Sequence, residues 1–171
     1  MLATMNAVDQ LCPNCGLCCD STLFADVELR AGDDPQRLAK FGLTVWQKTK
    51  TKLAFAQPCA GFDGQFCKLY AERPKRCQLF ECGLLQRVNR GELAAGLALK
   101  RIQAAKTRAR RIRELLRQAG QGDEQMALTQ RYAEAMSAPV DFSVDGAADQ
   151  RGELMLAVNE LMQVLERDFL R

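Results

Sequence analysis

The chain has 171 residues, of which 47% are hydrophobic and 26% are charged, and its formal net charge is +3. This length suits one domain of ordinary size, or a small module with a helical extension. The net charge is too small to imply a nucleic-acid partner, and no apolar stretch approaches the roughly 20 residues that span a bilayer. The first residues carry no basic stretch or long apolar core that would mark export, so we expect a cytoplasmic location.

Four cysteines crowd into a short segment near the start of the chain, in the order Cys12-Pro-Asn-Cys15-Gly-Leu-Cys18-Cys19. Four more follow at Cys59, Cys67, Cys77 and Cys82, and the chain contains no histidine. Because cytosolic thiols stay reduced, clustered cysteines there bind metals more often than they form disulfides. Adjacent thiols also form a disulfide only with strain. We therefore predict that these cysteines bind a metal as thiolates.

The remainder of the first half contains short elements separated by turns. Alternating apolar residues over 23–29 weakly predict a strand, and Asp34-Pro35 predicts a brief helix over about 35–41. The alternating runs 46–55 and 66–70 predict further strands. The Asp63-Gly64 turn between these runs predicts a small antiparallel ribbon, across which Cys59 and Cys67 would face each other. Pro74 predicts the start of a short helix that carries Cys77.

The second half, from about Gly91, is predicted to be helical. A seven-residue apolar repeat runs through a helix over about 92–118, at Ala95, Ala98, Ile102, Ala105, Ala109, Ile112 and Leu116. A shorter helix over about 123–136 offers Met126, Ala133 and Met136. A last helix over about 147–169 has a stripe of Leu154, Val158, Leu161 and Leu165. These stripes predict an antiparallel helical bundle.

The expected fold class is therefore α+β, mainly α, with a small cysteine-rich module followed by the bundle. We expect a cysteine-cluster metal-binding domain over residues 1–90 and a helical bundle extension over residues 91–171. Nothing resembles a glycine-rich cofactor loop, and no residue is assigned a catalytic role.

Charge is distributed unevenly along the helical half. Residues 100–117 hold eight Lys or Arg and one Glu, whereas residues 118–171 hold four basic and ten acidic residues. We expect the basic helix to pair with acidic groups of the last helix, namely Glu153, Glu160, Glu166 and Asp168. The alternative is a surface that binds a protein or RNA. The basic run lacks the interleaved aromatic residues typical of single-strand binding, so a nucleic-acid partner is not favoured.

The spacing of the first cysteines has a chemical interpretation. A C-x2-C-x2-C run plus one remote cysteine is how bacterial ferredoxins hold a 4Fe-4S cluster, so Cys12, Cys15 and Cys18 with a distal cysteine form one candidate site. Cys19, Cys59, Cys67 and Cys77 could form or extend another. Eight thiolates could equally supply two four-thiolate zinc sites, and four-sulfur coordination alone does not distinguish the two metals.

The cysteine pattern also carries a family resemblance. The run Cys12-x2-Cys15-x2-Cys18-Cys19, followed by Pro58-Cys59, Gly64-Gln-Phe-Cys67-Lys-Leu-Tyr70 and Arg73-Pro74-x2-Cys77, resembles the bacterial CxxCxxCC proteins of the YkgJ type, described as zinc- or iron-chelating domains. The motifs span about residues 11–82 and exclude the helical tail. The resemblance implies that the cysteines from Cys12 to Cys77 are cluster positions, with Cys82 outside the pattern.

The family includes a flagellin lysine methylase that is similar to iron-sulfur methyl-transfer enzymes, which favours iron-sulfur over zinc here. We therefore expect a 4Fe-4S protein with a role in electron or methyl transfer. The alternative is a zinc-binding adaptor whose helices engage a partner.

Three expectations concern single residues. Replacing Cys15 should reduce metal binding more than replacing Cys82. Tyr70 should lie in the core, and Arg73 should contact carbonyls or a carboxylate.

Overall fold

A computed structural model describes residues 6–141 and 143–170. It is 52% helix and 9% strand, which confirms the α+β, mainly α class. The helices and strands are, in chain order, α1 Ala7–Cys15, β1 Asp26–Glu28, α2 Pro35–Lys40, β2 Val45–Thr49, β3 Lys52–Ala56, a 3-10 turn Tyr70–Glu72, α3 Lys75–Leu79, α4 Gly83–Asn89, α5 Ala95–Gln118, α6 Leu128–Ser137 and α7 Ala147–Asp168.

The three strands form one antiparallel sheet in the order β1-β3-β2. Val27 of β1 and Val45 of β2 both lie opposite Phe55 of β3. The alternating run 46–55 is therefore a hairpin of two strands. The ribbon expected around Asp63-Gly64 is reduced to one bridge, in which Cys67 pairs with Phe62 and not with Cys59.

A small hydrophobic core lies beside the sheet, and we call it the sheet core. Its buried members come from β1, α2, β3 and the connecting segments: Val27, Leu38, Leu43, Phe55 and Leu69. Helix α2 begins as expected, because the Asp34 side chain accepts hydrogen bonds from the backbone N–H groups of Gln36 and Arg37. The cysteines Cys59, Cys67 and Cys77 pack against this core.

A larger hydrophobic core, the helical core, lies between the long helices. The predicted stripe of α5 is confirmed from Ala98 to Leu116, and Leu154, Leu161 and Leu165 of α7 are buried against it, with Val158 partly buried. Arg101 near the start of α5 pairs with Asp168 at the end of α7, so the two helices run antiparallel. Leu11 of α1 and Leu84 and Leu85 of α4 are buried in the same core.

Three elements differ from the sequence expectations. Helix α6 begins at Leu128, and its buried positions are Leu128, Arg131 and Ala135, whereas Ala133 is exposed. Helix α1 was not predicted from the sequence, although Asn6 caps it and apolar residues recur in it at helical spacing. Helix α4 was not predicted, because the short segment Gly83–Asn89 is bounded by no strong start signal. No helix in the described ranges is long and apolar enough to cross a membrane.

The end of α7 is fixed by a buried carboxylate. The Asp168 side chain is fully buried and pairs with Arg101 of α5 at 2.7 Å, with Arg167 at 2.8 Å and with Arg87 of α4 at 3.7 Å. Burial disfavours the ionised carboxyl group, but Arg167 and Arg101 more than offset it and hold the pKa of Asp168 below its usual range. Asp168 therefore joins the three helices α4, α5 and α7.

We predict that Asp168→Asn lowers the free energy of unfolding by on the order of 2–3 kcal/mol, because it leaves several arginines around a neutral group. A carboxyl group with a lowered folded-state pKa contributes stability above its unfolded pKa, and the contribution disappears as pH falls through the folded value. Denaturant unfolding at neutral and acidic pH checks this. Glu160→Gln is the control, because Glu160 is exposed on the same helix and this substitution removes the same negative charge. Equal effects of the two variants would contradict the assignment.

Candidate metal centre

All eight cysteines line a single cavity of about 840 Å³ between the sheet and the helices. Each thiol is free and partly buried. The fold therefore brings together every sequence-predicted metal ligand, including Cys82, which the family motif left out. The metal-binding chemistry that the cavity can support depends on how the sulfur atoms are grouped.

Three of these cysteines, Cys12, Cys15 and Cys82, pack against the helical core. Cys12 and Cys15 lie on α1, and Cys82 is the residue immediately before α4. The pKa of the Cys15 thiol is raised to about 12, mainly by burial and also by the nearby Cys82 and Cys12. Burial and then Cys15, Cys19, Cys82 and Cys12 also raise the pKa of Cys18. We call Cys12, Cys15, Cys18 and Cys82 the first cysteine group.

The other four cysteines lie toward the sheet. The carbonyl of Cys19 accepts a hydrogen bond from the N–H of Cys59 at 2.8 Å. Burial raises the pKa of Cys19, and Cys59, Cys67 and Cys77 raise it further. Burial likewise raises the pKa of Cys77 to about 12, with Cys59 and Cys67 as additional causes. We call Cys19, Cys59, Cys67 and Cys77 the second cysteine group.

Backbone N–H groups partly offset the cost of thiolate formation. The N–H of Leu17 acts to lower the pKa of Cys15, and those of Gly61 and Phe62 do the same for Cys59. At the start of α4, the N–H groups of Leu85 and Leu84 favour the thiolate of Cys82. Amides near sulfur are a recurrent feature of thiolate metal sites.

Arg73 supplies positive charge between the two groups. Its presence acts to lower the pKa of both Cys12 and Cys77, although burial keeps both values raised. Its guanidinium lies 3.9 Å from the centre of the Tyr70 ring, and its Nε donates to the Tyr70 carbonyl at 3.0 Å. The Tyr70 hydroxyl donates to Asp9 on α1 at 3.1 Å. The expected carbonyl contact of Arg73 is confirmed, whereas Tyr70 is 40% exposed and does not lie in the core.

The cysteine segment is held from outside by α5. Arg113 donates to the Asp20 carbonyl at 2.8 Å and to the Thr22 hydroxyl at 3.0 Å, and it pairs with the Asp20 carboxylate. Lys106 donates to the Asn14 carbonyl at 3.2 Å. The expected pairing of α5 with α7 holds for Asp168 and for Glu153, which pairs with Arg111. Basic residues of α5 thus position the segment that carries the first cysteines.

The donor set fits a thiophilic metal. Eight reduced sulfurs in one partly dry cavity cannot all ionise beside one another unless a cation compensates their charge, and Cys is the ligand that Zn and iron-sulfur clusters prefer. Within the described ranges, no three Cys, Asp or Glu side chains already stand as a group that could hold a metal ion. Binding therefore requires the sulfurs to turn toward one another, for which the cavity has room.

Together, the cavity and its thiols define a protein of the cysteine-cluster class. The chain matches the CxxCxxCC family, described as "putative zinc- or iron-chelating domain", over residues 11–109. Because the match covers more than half of the chain, the chain belongs to this family, and the description supports metal binding through the cysteines. The match continues beyond the cysteine motifs into α5. No curated protein and no solved structure matches the chain.

We predict that Gly16→Ala destabilises the cysteine segment. Gly16 ends α1 with φ +75°, and a Cβ there would lie 2.5 Å from Cζ of Phe62, so the ring on the hairpin of Cys67 must move. The left-handed backbone alone costs an alanine about 1–2 kcal/mol. Gly91→Ala is the matched control, since its φ is +73° and its Cβ would meet nothing within 4 Å.

Denaturant unfolding and thiol reactivity measure the difference. Gly16→Ala should lose more stability than Gly91→Ala and should expose the cysteines to a thiol reagent. Equal losses and unchanged thiol reactivity would show that Gly16 and Phe62 do not position the segment.

Proposed function

We propose that this protein holds a 4Fe-4S cluster through the first cysteine group and uses it in electron or methyl transfer. The observation that carries the proposal is the position of Cys82. It follows Cys12, Cys15 and Cys18 by more than sixty residues in the sequence, yet it packs against the same core as Cys12 and Cys15 and lines the same cavity. A C-x2-C-x2-C run plus one remote cysteine is the ligand arrangement of ferredoxin-type clusters.

An iron-sulfur cluster, when bound, supplies one-electron chemistry, and the chain's own residues would tune it. The N–H groups at the start of α4 and after α1 stabilise thiolate charge, and Arg73 adds a positive charge near Cys12. The helical core excludes water on one side. The thiols themselves are only partly buried, which favours exchange of electrons with a molecule docked at the cavity.

Zinc is the alternative metal, because four thiolates also satisfy a structural zinc site and the family description names both metals. The associated adaptor function needs a free basic surface on α5. Five of the eight basic residues between positions 100 and 117 contact other parts of the chain, namely Arg101, Lys106, Arg111, Arg113 and Arg117. These contacts support a scaffolding role for the helix and give the adaptor function no separate support.

We predict that protein purified without oxygen is brown, contains about four iron and four sulfide ions per chain, and loses its visible absorbance with dithionite. Cys82→Ser should lose the iron and sulfide, as should Cys15→Ser, because each removes a ligand of the first cysteine group. This proposal replaces the expectation from the sequence that Cys82 would matter less than Cys15. Glu81→Gln is the control, because it changes the exposed neighbour of Cys82 and removes no sulfur.

Elemental analysis and the visible spectrum decide the outcome. A colourless, air-stable protein that contains only zinc would replace the iron-sulfur proposal by the zinc alternative. Retention of full iron content in Cys82→Ser would show that another cysteine completes the cluster.

A further inference from the structure

The two cysteine groups lie against two different cores. Cys12, Cys15 and Cys82 pack against the helical core, whereas Cys59, Cys67 and Cys77 pack against the sheet core, and neither core shares a cysteine with the other. The partition follows from side-chain packing alone. The packing thus divides six of the eight cysteines into two sets of three.

The adjacent pair Cys18-Cys19 lies at the junction of the two groups. The N–H of Cys19 donates to the Gly16 carbonyl at the end of α1, and its carbonyl accepts from the N–H of Cys59, both at 2.8 Å. The main chain at Cys19 is thus pinned directly to the segment that carries Cys59. We therefore assign Cys19 to the side of the sheet core, as the fourth member of the second cysteine group.

The second cysteine group is drawn from more separate segments of the chain than the first. Its four cysteines come from four separate segments: the turn after α1, the segment after β3, the hairpin that pairs Phe62 with Cys67, and helix α3. Among the residues that the structure describes, the sheet core that these segments enclose has five buried hydrophobic residues. Small modules with so few buried residues commonly depend on a metal for stability.

We propose that the second cysteine group forms a separate centre, in which a single structural ion of the zinc type is held by Cys19, Cys59, Cys67 and Cys77. Once their sulfurs turn toward one another, four thiolates from four segments would make a closed tetrahedral set with no open position, as structural zinc sites have. The ion joins the sheet, the hairpin and α3 to the turn after α1. This inference rests on the proposed function, because it assumes that the first cysteine group holds the iron-sulfur cluster.

The test compares Cys77→Ser with Cys82→Ser in the full chain purified without oxygen, with iron and zinc measured in each. We expect the unaltered protein to contain one zinc ion in addition to iron. Cys77→Ser should lose the zinc and keep the iron, whereas Cys82→Ser should lose the iron and keep the zinc. Loss of the same metal in both variants, or zinc retained in Cys77→Ser, would overturn the second centre.

Zinc-edge X-ray absorption of the unaltered protein keeps the test decisive if Cys77→Ser fails to fold. Four sulfur neighbours are expected around zinc, and nitrogen or oxygen neighbours would contradict the proposed ligand set. The two proposals fail separately in this design. A protein without iron whose zinc is lost only in Cys77→Ser retains the second centre and refutes the iron-sulfur proposal.

Discussion

The main physical constraint on this structure is the electrostatic cost of ionising several of the eight thiols that share one partly buried cavity. Burial, together with neighbouring sulfurs, raises the pKa of Cys15 and of Cys77 to about 12. Backbone amides and Arg73 offset only part of this cost. A bound cation is the remaining way to make several adjacent thiolates stable, and so the cavity is suited to metals and poorly suited to free ionised cysteines.

The helical half of the chain positions the cysteine half. Helices α1 and α4 bury Leu11 and Leu84 in the core formed by α5 and α7, and Arg113 holds the segment that follows Cys19. Asp168 joins α4, which follows Cys82, to both long helices. The family match reaches residue 109 inside α5, in agreement with this dependence. The division at Gly91 into two domains stays a prediction, although the helical core includes residues from both sides of it.

Periodicity predicted the elements that are long or strongly capped. Helices α5 and α7 could be predicted because their buried faces repeat over several turns. Helix α2 could be predicted from its Asp34 cap. Helix α1 was missed because its cysteines were interpreted only as ligands, although Val8, Leu11, Cys12 and Cys15 share one helical face. The grouping of the sulfurs could not be predicted, because it depends on how α1 packs against α4 and on which core each distant cysteine reaches.

The adjacent Cys18-Cys19 pair then has a physical explanation. Neighbouring side chains in a chain point in different directions, whether the backbone is extended or helical, so two successive residues do not face the same point. Two adjacent cysteines are therefore poorly placed to serve one centre and well placed to serve two. The turn after α1 lies between the helical core and the sheet core, and there Cys18 can face one group while Cys19 faces the other. The doubled cysteine that ends the motif is thus the position at which the two groups meet.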